Sequence, residues 1–370
     1  MSGRLSRCLK SLESSGFLRS TDNTNIPGIE LLHHGSAFAK QLQQQWLSMR
    51  PLAVHFGSVP HTESNSQHRF SFVHSKEFRK HFRLLNQSHP SKSKCPTLVK
   101  HQRRFTFKSG PNSSFDYTQS VTQLITDFFV EPHRGLEHFY NVQRESKIWW
   151  MRYSSNPSRY AIVPYDFQSE SELGEDCQAI DIKAAFGNEE EVTVEQLSLV
   201  SLPGDEDFEL PDARTGQMLL PKVIRSVIDL EPATCALLLD GCDHGRESRS
   251  LLLNRVLAPY QCGIAAIQKT EQISPDLCDL CAHMTDVLRS ARLRLHLLEE
   301  NGYTLARNRV QLAQHFEQSD RLGVPYTLLL DEDQALGNGL MQLRSRDTQL
   351  AESIHISDLP DYLLNIFRNY

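Results

Sequence analysis

Residues 311–363 carry the clearest structural pattern in the chain: QLAQHFEQSDRLGVPYTLLLDEDQALGNGLMQLRSRDTQLAESIHISDLPDYL. Apolar spacing and Gly and Pro signals predict, in order, a helix at 310–322, a strand at 326–330 after Gly323-Val324-Pro325, a turn at Gly337-Asn338-Gly339, a strand at 340–345 and a helix from about 357. Helices and strands that alternate in this way predict a compact α/β domain.

The regular pattern extends upstream to about residue 217. It predicts a helix at 217–230, a buried strand at 233–242, an apolar strand at 260–268, a long helix starting at Pro275 and a strand at 303–306. Ser274 and Pro275 have the composition of an N-cap and a first helical position. Asn301-Gly302 signals the end of the long helix.

The N-terminal part is less regular. Its pattern predicts a helix with the apolar stripe Phe38, Leu42 and Trp46 that Pro51 ends, a short strand at 52–56, a helical run near 120–130 and a strand at 192–202. Trp149 and Trp150 are interpreted as packing residues in a strand. A length of 370 residues suggests two or three domains.

Charge is distributed unevenly along the chain. Residues 1–150 contain 20 Lys and Arg and 10 Asp and Glu, a balance of +10, whereas residues 151–370 contain 19 and 35, a balance of −16. A basic half joined to an acidic half indicates a polyanionic partner for the basic half. An ordinary protein with an uneven surface charge is the alternative.

The basic residues concentrate in the segment 61–114, which has eleven Lys and Arg and two acids. Such a surface binds phosphate backbones without reading sequence. Interleaved Phe residues could stack on bases, but their strand-like spacing in FSF and FTF favours a role in the core. The candidate DNA-binding residues are Arg69, Lys76, Arg79, Lys80, Arg83, Lys92, Lys94, Arg103 and Arg104.

The first 20 residues are rich in Ser and contain four basic residues and one acid. Leu5, Leu9 and Leu12 fall on one face of a helix. This composition is typical of a mitochondrial presequence. An ordinary basic amphipathic helix remains an equal alternative.

Composition excludes two classes of protein. The uncharged stretch 256–268 has 13 residues, too few for the roughly 20 that a membrane helix needs, so no membrane association is expected. The eight Cys are irregularly spaced in a chain of 370 residues, which does not fit a disulfide scaffold.

Motifs for catalysis and metal binding are weak. Cys278 and Cys281 form one CxxC pair inside a predicted helix, and no second pair completes four ligands, so core packing is the better interpretation. The Gly-rich turn at 240–246 lacks the spacing of a P-loop or a dinucleotide-binding loop. We therefore expect no catalytic residues, no metal and no cofactor.

Residues 311–363 resemble the anticodon-binding domain of the class II aminoacyl-tRNA synthetases of the glycyl, prolyl, histidyl and threonyl group. Within that group, NGLMQLRSRDT at 338–348 followed by HISDL is most similar to the accessory-subunit family of mitochondrial DNA polymerase gamma. LLHHGSAFAKQLQQQWL at 31–47 and KIWWMRYSSNPSRYAI at 147–162 also resemble segments of that family. The resemblance is strong over about 217–370, moderate over 28–60 and 144–162, and poor in between.

The resemblance implies a fold with two domains. A degenerate class II synthetase-like domain with an antiparallel sheet is expected over 21–250, and an α/β anticodon-binding-like domain with a mixed five-stranded sheet over 251–370. A possible presequence precedes them at 1–20. The domain over 21–250 contains the basic segment 61–114.

The same resemblance implies a non-catalytic processivity subunit that binds the catalytic subunit of mitochondrial DNA polymerase gamma and primer–template DNA in the mitochondrial matrix. Arg344 and Arg346 lie in the most similar segment and are the candidate partner-binding residues. No pair of long amphipathic helices is evident between 60 and 145, where vertebrate members carry their dimerisation hairpin. A monomer in a 1:1 heterodimer is therefore expected, as in insect members.

A divergent tRNA synthetase or a tRNA-binding paralogue is the alternative. A class II active site needs one Arg for the ATP α-phosphate and a second Arg at the start of a helix. The region 120–165 has no FRxE arrangement, and only Arg246 or Arg249 could provide the second Arg. The aminoacylation site is therefore expected to be absent.

Overall fold

The computed structural model describes residues 3–21, 28–50, 53–56, 59–60, 69–89, 91–108, 118–165, 177–187, 191–204, 206–243, 250–267, 274–296 and 303–368. These residues form a large, mostly antiparallel sheet followed by a smaller mixed sheet, and helices pack on both. The mixed α/β class is therefore confirmed. The predicted Asn301-Gly302 helix end, Arg246 and Arg249 lie outside the described residues.

The N-terminal part contains five helices and twelve strands among its described residues. The helices are α1 (Gly3–Ser14), α2 (His33–Ser48), α3 (Lys76–Ser88), α4 (Gly135–Tyr153) and α5 (Leu230–Cys242). The strands are β1 (Leu18–Thr21), β2 (Gly28–Leu31), β3 (Val54–His55), β4 (Val59–Pro60), β5 (Thr97–Lys108), β6 (Thr118–Val130), β7 (Tyr160–Pro164), β8 (Gln178–Ala185), β9 (Glu191–Ser201), β10 (Leu210–Pro211), β11 (Met218–Leu219) and β12 (Lys222–Asp229).

The large sheet has the strand order β3-β5-β6-β12-β9-β8-β7, with β4 also paired to β5. Its longest element is the β5–β6 hairpin, which pairs Thr97 with Phe129 at one end and Lys108 with Thr118 at the other. β12 lies between β6 and β9 and pairs with both in antiparallel register. Because β12 is central, both of its edges are hydrogen-bonded to neighbouring strands.

One face of this sheet carries the main core. Leu124 and Phe128 of β6 and Ile224 of β12 point to the same side, as the two-residue period of strands requires. Helices α1, α2, α4 and α5 pack on this side. α1 contributes the buried residues Leu5 and Leu12, so the N-terminal segment belongs to the packed core in this structure.

The opposite face is covered by α3 and by the one-turn 3-10 helix Ser71–His74. Their aromatic side chains pack on sheet residues such as Val99, Phe129 and Val223. The aromatic residues of this cover are Phe70, Phe72, Phe78 and Phe82, and Phe208 joins them from a later loop. The interpretation as core is confirmed for Phe70, Phe72, Phe78 and Phe82, whereas the side chains of Phe105 and Phe107 lie outside the described part of the structure.

The C-terminal part contains four helices and six strands among its described residues. The helices are α6 (Pro275–Ser290), α7 (Arg309–Arg321), α8 (Glu332–Asn338) and α9 (Leu359–Arg368). The strands are β13 (Cys262–Ile267), β14 (Leu295–His296), β15 (Thr304–Ala306), β16 (Tyr326–Asp331), β17 (Leu340–Ser345) and β18 (Ala351–His355).

The smaller sheet has the strand order β14-β13-β16-β17-β18, with β15 also paired to β13. β14 pairs with Cys262 and Gly263, and β15 pairs with Ala265 to Ile267, both along the edge of β13 that faces away from β16. β14 and β15 therefore share one place in the sheet, and the six strands form a sheet that is five strands wide. β13 and β16 are parallel and β17 and β18 antiparallel, so the sheet is mixed as expected.

The largest errors of the sequence-based assignment lie at 217–242. The predicted helix at 217–230 is largely the strand β12, and the predicted strand at 233–242 is the helix α5. α5 is buried almost all round, so its sequence is a continuous apolar run without a helical period. β12 is buried on both faces and lacks the alternation of a half-exposed strand.

Other element predictions were also wrong in part. The predicted helical run near 120–130 is the strand β6, and Trp149 and Trp150 are buried as expected but lie in α4. The helix from Pro275 ends at Ser290, because Arg292 takes a left-handed conformation with φ 62° before the chain enters β14. The pattern also missed β18, and it missed α8 before the predicted turn at Gly339.

The smaller sheet buries two histidines on the side of α7. His315 is 4% exposed, and neither of its ring nitrogens has a hydrogen-bond partner among the described residues. Burial, with Arg344 nearby, lowers the pKa of His315 to about 4. Burial, with His315 and His34 nearby, lowers the pKa of His296 to about 4 as well.

We expect the C-terminal part to lose stability as the pH falls from 7 to 5. Both histidines are uncharged in the folded state, so their contribution is complete above the unfolded pKa of about 6.5 and is lost below it, down to the folded pKa. For His315 alone the loss from pH 7 to pH 5 is about 2 kcal/mol. Urea unfolding at several pH values measures it. His315→Gln should flatten the dependence, whereas the same change at exposed His355 should not.

The connection between the two parts is fixed by Arg346. Its guanidinium donates to the carbonyls of Leu251 (3.2 Å), Gly323 (2.8 Å) and Leu253 (2.9 Å) and also binds Asp347. Leu251 and Leu253 pack in the core of the N-terminal part. Arg346 is 3% exposed, so these contacts between the connecting segment and the smaller sheet are buried.

Replacing Arg346 with Ala is expected to lower the free energy of unfolding by about 2–3 kcal/mol, because three buried carbonyls would be left without their charged donor. Chemical denaturation measures the change. Asp286→Ala, which breaks the exposed pair with Arg289, is the control and should cost less than about 1 kcal/mol. Equal effects for the two variants would contradict the role assigned to the carbonyl contacts.

Candidate functional site

The helix α3 has one basic and one apolar side. Ser75 caps its N-terminus, with Oγ accepting from the backbone N–H of Phe78 at 3.1 Å. Phe78, Phe82 and Leu85 are buried against the sheet. Lys76, Lys80 and Arg83 are exposed on the other side, because positions three and four apart share a helical face.

A groove of about 310 Å³ lies along the basic side of α3 and is lined by Lys76, Arg79, Lys80, Arg83, Leu84 and Gln87. Asp207 offsets part of its charge, at 2.9 Å from Arg83 and 4.0 Å from Arg79. The guanidinium of Arg79 also lies over the Phe208 ring, 5.0 Å from its centroid. The structure thus brings four of the predicted DNA-binding residues together.

Three further predicted residues follow α3 in the sequence and are exposed. Lys92 and Lys94 lie in the loop that follows α3, and Arg104 lies on β5. The loop is anchored at its end, where the backbone N–H of Cys95 donates to the carbonyl of Pro211 at 2.9 Å. Arg104 shares the sheet face of Lys100 and Gln102, which bind α2, so we define the basic surface as Lys76, Arg79, Lys80, Arg83, Lys92 and Lys94.

Arg69 and Arg103 are placed differently from the expectation. The Arg69 guanidinium is inside the fold, where it pairs with Asp181 at 2.7 Å and donates to Ser198 and to the carbonyls of Ile180 and Leu197. Arg103 donates to Gln123 at 2.8 Å and lies 3.7 Å from Glu77. Carboxylates distant in sequence bind both guanidiniums, so we leave both residues out of the basic surface.

Beneath α3 the sheet face holds a buried ion pair. Arg225 of β12 donates twice to Asp127 of β6, at 2.6 and 2.7 Å. The Phe72 ring lies over the Arg225 guanidinium, 3.6 Å from its centroid, and Phe78 is 5.4 Å away. Aromatic side chains therefore occupy the space directly above the charged groups of this face.

Arg344 and Arg346 also point into the structure. Arg344 binds Asp320 through two hydrogen bonds of 2.9 and 2.8 Å, and its guanidinium lies over the Phe316 ring at 4.5 Å. Arg346 holds the connecting segment, as described above. Both guanidiniums are therefore bound to groups of the chain itself. Arg346 also donates to the carboxylate of Asp347, its neighbour in the chain.

A groove of about 490 Å³ lies beside Arg344 on the outer side of the smaller sheet. Its lining combines α7, β16 and β17 with the start of β18, and consists of Ser250, Ala313, Phe316, Glu317, Asp320, Leu329, Gln342, Arg344, Gln349 and Ala351. Here Arg344 contributes the floor of a surface groove. Sequence patterns gave no indication of this groove, since its residues come from five separate segments.

The cysteine pair behaves as core. Cys281 is fully buried in α6, within the cluster that joins α6 to β13 and β16. Burial raises the pKa of its thiol to about 12, which disfavours the thiolate that binds metals. Cys278 is half-buried at the margin of the same cluster. None of the described helices is long and apolar enough to cross a membrane.

A mostly antiparallel sheet with helices on both faces, followed by a small mixed α/β domain, fits the class II synthetase-like and anticodon-binding type. The profile described as "Anticodon binding domain" matches residues 261–366. A glycine–tRNA ligase of Mycoplasmopsis synoviae is 20% identical over 263 residues, 68% of this chain and 55% of that protein.

A second group of relatives is more similar. The "DNA polymerase subunit gamma-2, mitochondrial" of Drosophila melanogaster is 58% identical over 370 residues, 99% of both chains. The protein of the same name in Xenopus laevis is 28% identical over 240 residues, 60% of this chain and 48% of that protein. The chain therefore belongs to the DNA polymerase subunit gamma-2 family, and the resemblance drawn from the sequence is confirmed.

Proposed function

We propose that this chain is a non-catalytic accessory subunit that binds the catalytic subunit of mitochondrial DNA polymerase gamma and increases its DNA binding and processivity. One observation carries the proposal. Phe72 of the 3-10 helix and Phe78 of α3 cover the Arg225 guanidinium, and α3 turns Lys76, Lys80 and Arg83 to the outside. The same helix thus closes this face of the sheet and forms a basic surface.

The basic surface would contribute to processivity through phosphate contacts. Lys and Arg that neutralise phosphates release counterions, and this term is independent of sequence. No bond chemistry is required of this subunit, because added contacts with primer–template DNA slow dissociation of the complex. The proposal gives the complex a 1:1 heterodimeric composition and a place in the mitochondrial matrix, at the nucleoid.

The C-terminal domain is the proposed site for the catalytic subunit. Its groove beside Arg344 is open and lined by both apolar and polar side chains. Acidic side chains dominate the neighbouring surface: residues 331–361 contain seven Asp and Glu, and their two Arg, Arg344 and Arg346, are buried and paired. A surface of this charge disfavours DNA and suits a protein partner.

The proposed organisation keeps the boundaries expected from the sequence, with a synthetase-like domain over 21–250 and an anticodon-binding-like domain over 251–370. For residues 1–20, the packing of Leu5 and Leu12 favours an integral helix, and a presequence remains the competing proposal. N-terminal sequencing of the mature mitochondrial protein distinguishes them.

Pull-down of the catalytic subunit followed by primer extension on primed single-stranded DNA tests the function. We expect capture and longer products per binding event when this chain is present. Capture without any increase in product length would contradict the processivity role. ATP–pyrophosphate exchange with glycine, proline, histidine or threonine tests the synthetase alternative, and exchange well above background would replace the proposal.

The isolated protein is expected to be a monomer of about 42 kDa, the mass of one chain. Between β3 and α5 the described residues contain α3 and α4, and both pack on the large sheet rather than forming a protruding helical pair. Light scattering at micromolar concentration measures the mass. A value near that of two chains would contradict the 1:1 composition.

A further inference from the structure

A cluster of metal-ligating side chains lies between α3 and the sheet. Glu77 and His81 are four residues apart and therefore share the inner side of α3. His101 faces them from β5. One potential ligand atom of each residue lies within 4.8 Å of the other two. The two imidazole rings are in contact, with centroids 4.3 Å apart.

Both imidazole rings are buried, and each has a nitrogen that lacks a hydrogen-bond partner among the described residues. His81 is 5% exposed and His101 2%, and Nδ1 of each ring has no hydrogen-bond partner among the described residues. A buried polar atom that lacks a partner costs about 1–3 kcal/mol. Two contacting rings that each carry such an atom leave nitrogen lone pairs available to a ligand.

The surrounding charges are balanced. Arg225 is bound to Asp127, and the Asp127 carboxylate lies 4.0 Å from Nδ1 of His101. Arg103 is bound to Gln123 and lies 3.7 Å from Glu77. Lys80 is the remaining cation that acts on His81. Two carboxylates therefore offset the two guanidiniums, and a bound cation would share Glu77 with Arg103.

We propose that Glu77, His81 and His101 form a binding site for a divalent transition metal of the zinc type. Two imidazole nitrogens and one carboxylate oxygen suit Zn²⁺, whereas Mg²⁺ and Ca²⁺ require oxygen ligands. A water molecule completes four ligands. Bonds of about 2.0–2.2 Å require the three side chains to close by less than 1 Å each.

Such a site would act as a cross-link. It joins α3, which carries the exposed Lys76, Lys80 and Arg83, to β5 of the sheet. Glu77 and Arg103 are 13% and 14% exposed and form the rim through which an ion would enter. A bound ion would hold the basic side of α3 in place, independently of any partner.

The test uses the full-length protein and Zn²⁺ or Co²⁺ as probes. After exposure to Zn²⁺ and dialysis, we expect about one zinc per chain by elemental analysis and a rise in melting temperature that grows with free zinc. Co²⁺ should give the intense visible bands of a four-coordinate ion. The variants are His81→Gln, His101→Gln and Glu77→Gln, with His315→Gln as the control for loss of another buried imidazole.

The two histidine variants should lose the retained zinc and the cobalt bands, Glu77→Gln should weaken binding, and His315→Gln should retain both. If a histidine variant does not fold, two readouts still test the proposal. One is Glu77→Gln, whose side chain is near the surface, and the other is the cobalt spectrum of the unaltered protein. A substoichiometric zinc content, an octahedral cobalt spectrum, or zinc retained in a folded His101→Gln variant would each overturn the proposal.

Discussion

Replacing Asp127 with Ala is expected to lower the free energy of unfolding by about 3–5 kcal/mol, because the Arg225 guanidinium would remain buried without its carboxylate. Arg225 is 6% exposed and Asp127 1%, and two hydrogen bonds of 2.6 and 2.7 Å join them. Phe72 covers one face of the guanidinium, so the unpaired charge would remain among apolar side chains. Urea denaturation followed by far-UV circular dichroism measures the change.

Two variants separate the effect of a buried unpaired charge from that of a smaller side chain. The double variant Asp127→Ala with Arg225→Met removes both charges and should recover a large part of the stability. Glu191→Ala breaks the exposed pair with Lys183 and should cost less than about 1 kcal/mol. If Asp127→Ala cost no more than Glu191→Ala, the ion pair beneath α3 would have no structural role.

Replacing Lys76, Lys80, Lys92 and Lys94 with Ala is expected to flatten the plot of log affinity for duplex DNA against log salt by up to about 4 units, at about 0.9 unit for each phosphate that is no longer neutralised. All four side chains are exposed. Affinity should fall for every DNA sequence alike, because phosphate contacts carry no base information. Fluorescence anisotropy at several salt concentrations measures the slope.

The control removes the same number of charges elsewhere, at Lys147, Arg289, Arg307 and Arg309. These residues lie on α4 and on the C-terminal domain, away from the basic surface. The control variant should keep the slope of the unaltered protein, and both variants should still bind the catalytic subunit. Equal slopes for the two variants would show that the basic surface has no special part in DNA binding.

Local signals predicted the C-terminal elements better than the N-terminal ones. α7, β16 and β17 are short, half-exposed or bounded by Gly and Pro, so their periods and ends are visible in the sequence. α5 and β12 are exchanged in the prediction because each is buried on nearly every side. A buried helix and a buried strand have the same apolar pattern. They differ only in the residues that they pack against, and those residues are distant in the sequence.

The candidate site was predictable to the same limited extent. A count of Lys and Arg locates the basic segment, and Lys76, Lys80 and Arg83 are exposed as such a count assumes. Arg69 and Arg344 are engaged by Asp181 and Asp320, which lie 112 and 24 positions away. No property of a single residue distinguishes a basic side chain with a buried carboxylate partner from one that faces water.

The three carbonyls that Arg346 holds make the joint between the two domains a stiff one. A flexible tether would let a ligand on one domain sample many positions relative to the other, and the local concentration of the second domain would be diluted over that volume. Here the donors of one side chain fix the direction in which the chain leaves the large sheet. A partner bound to the C-terminal domain would therefore be held at a fixed angle and distance from α3.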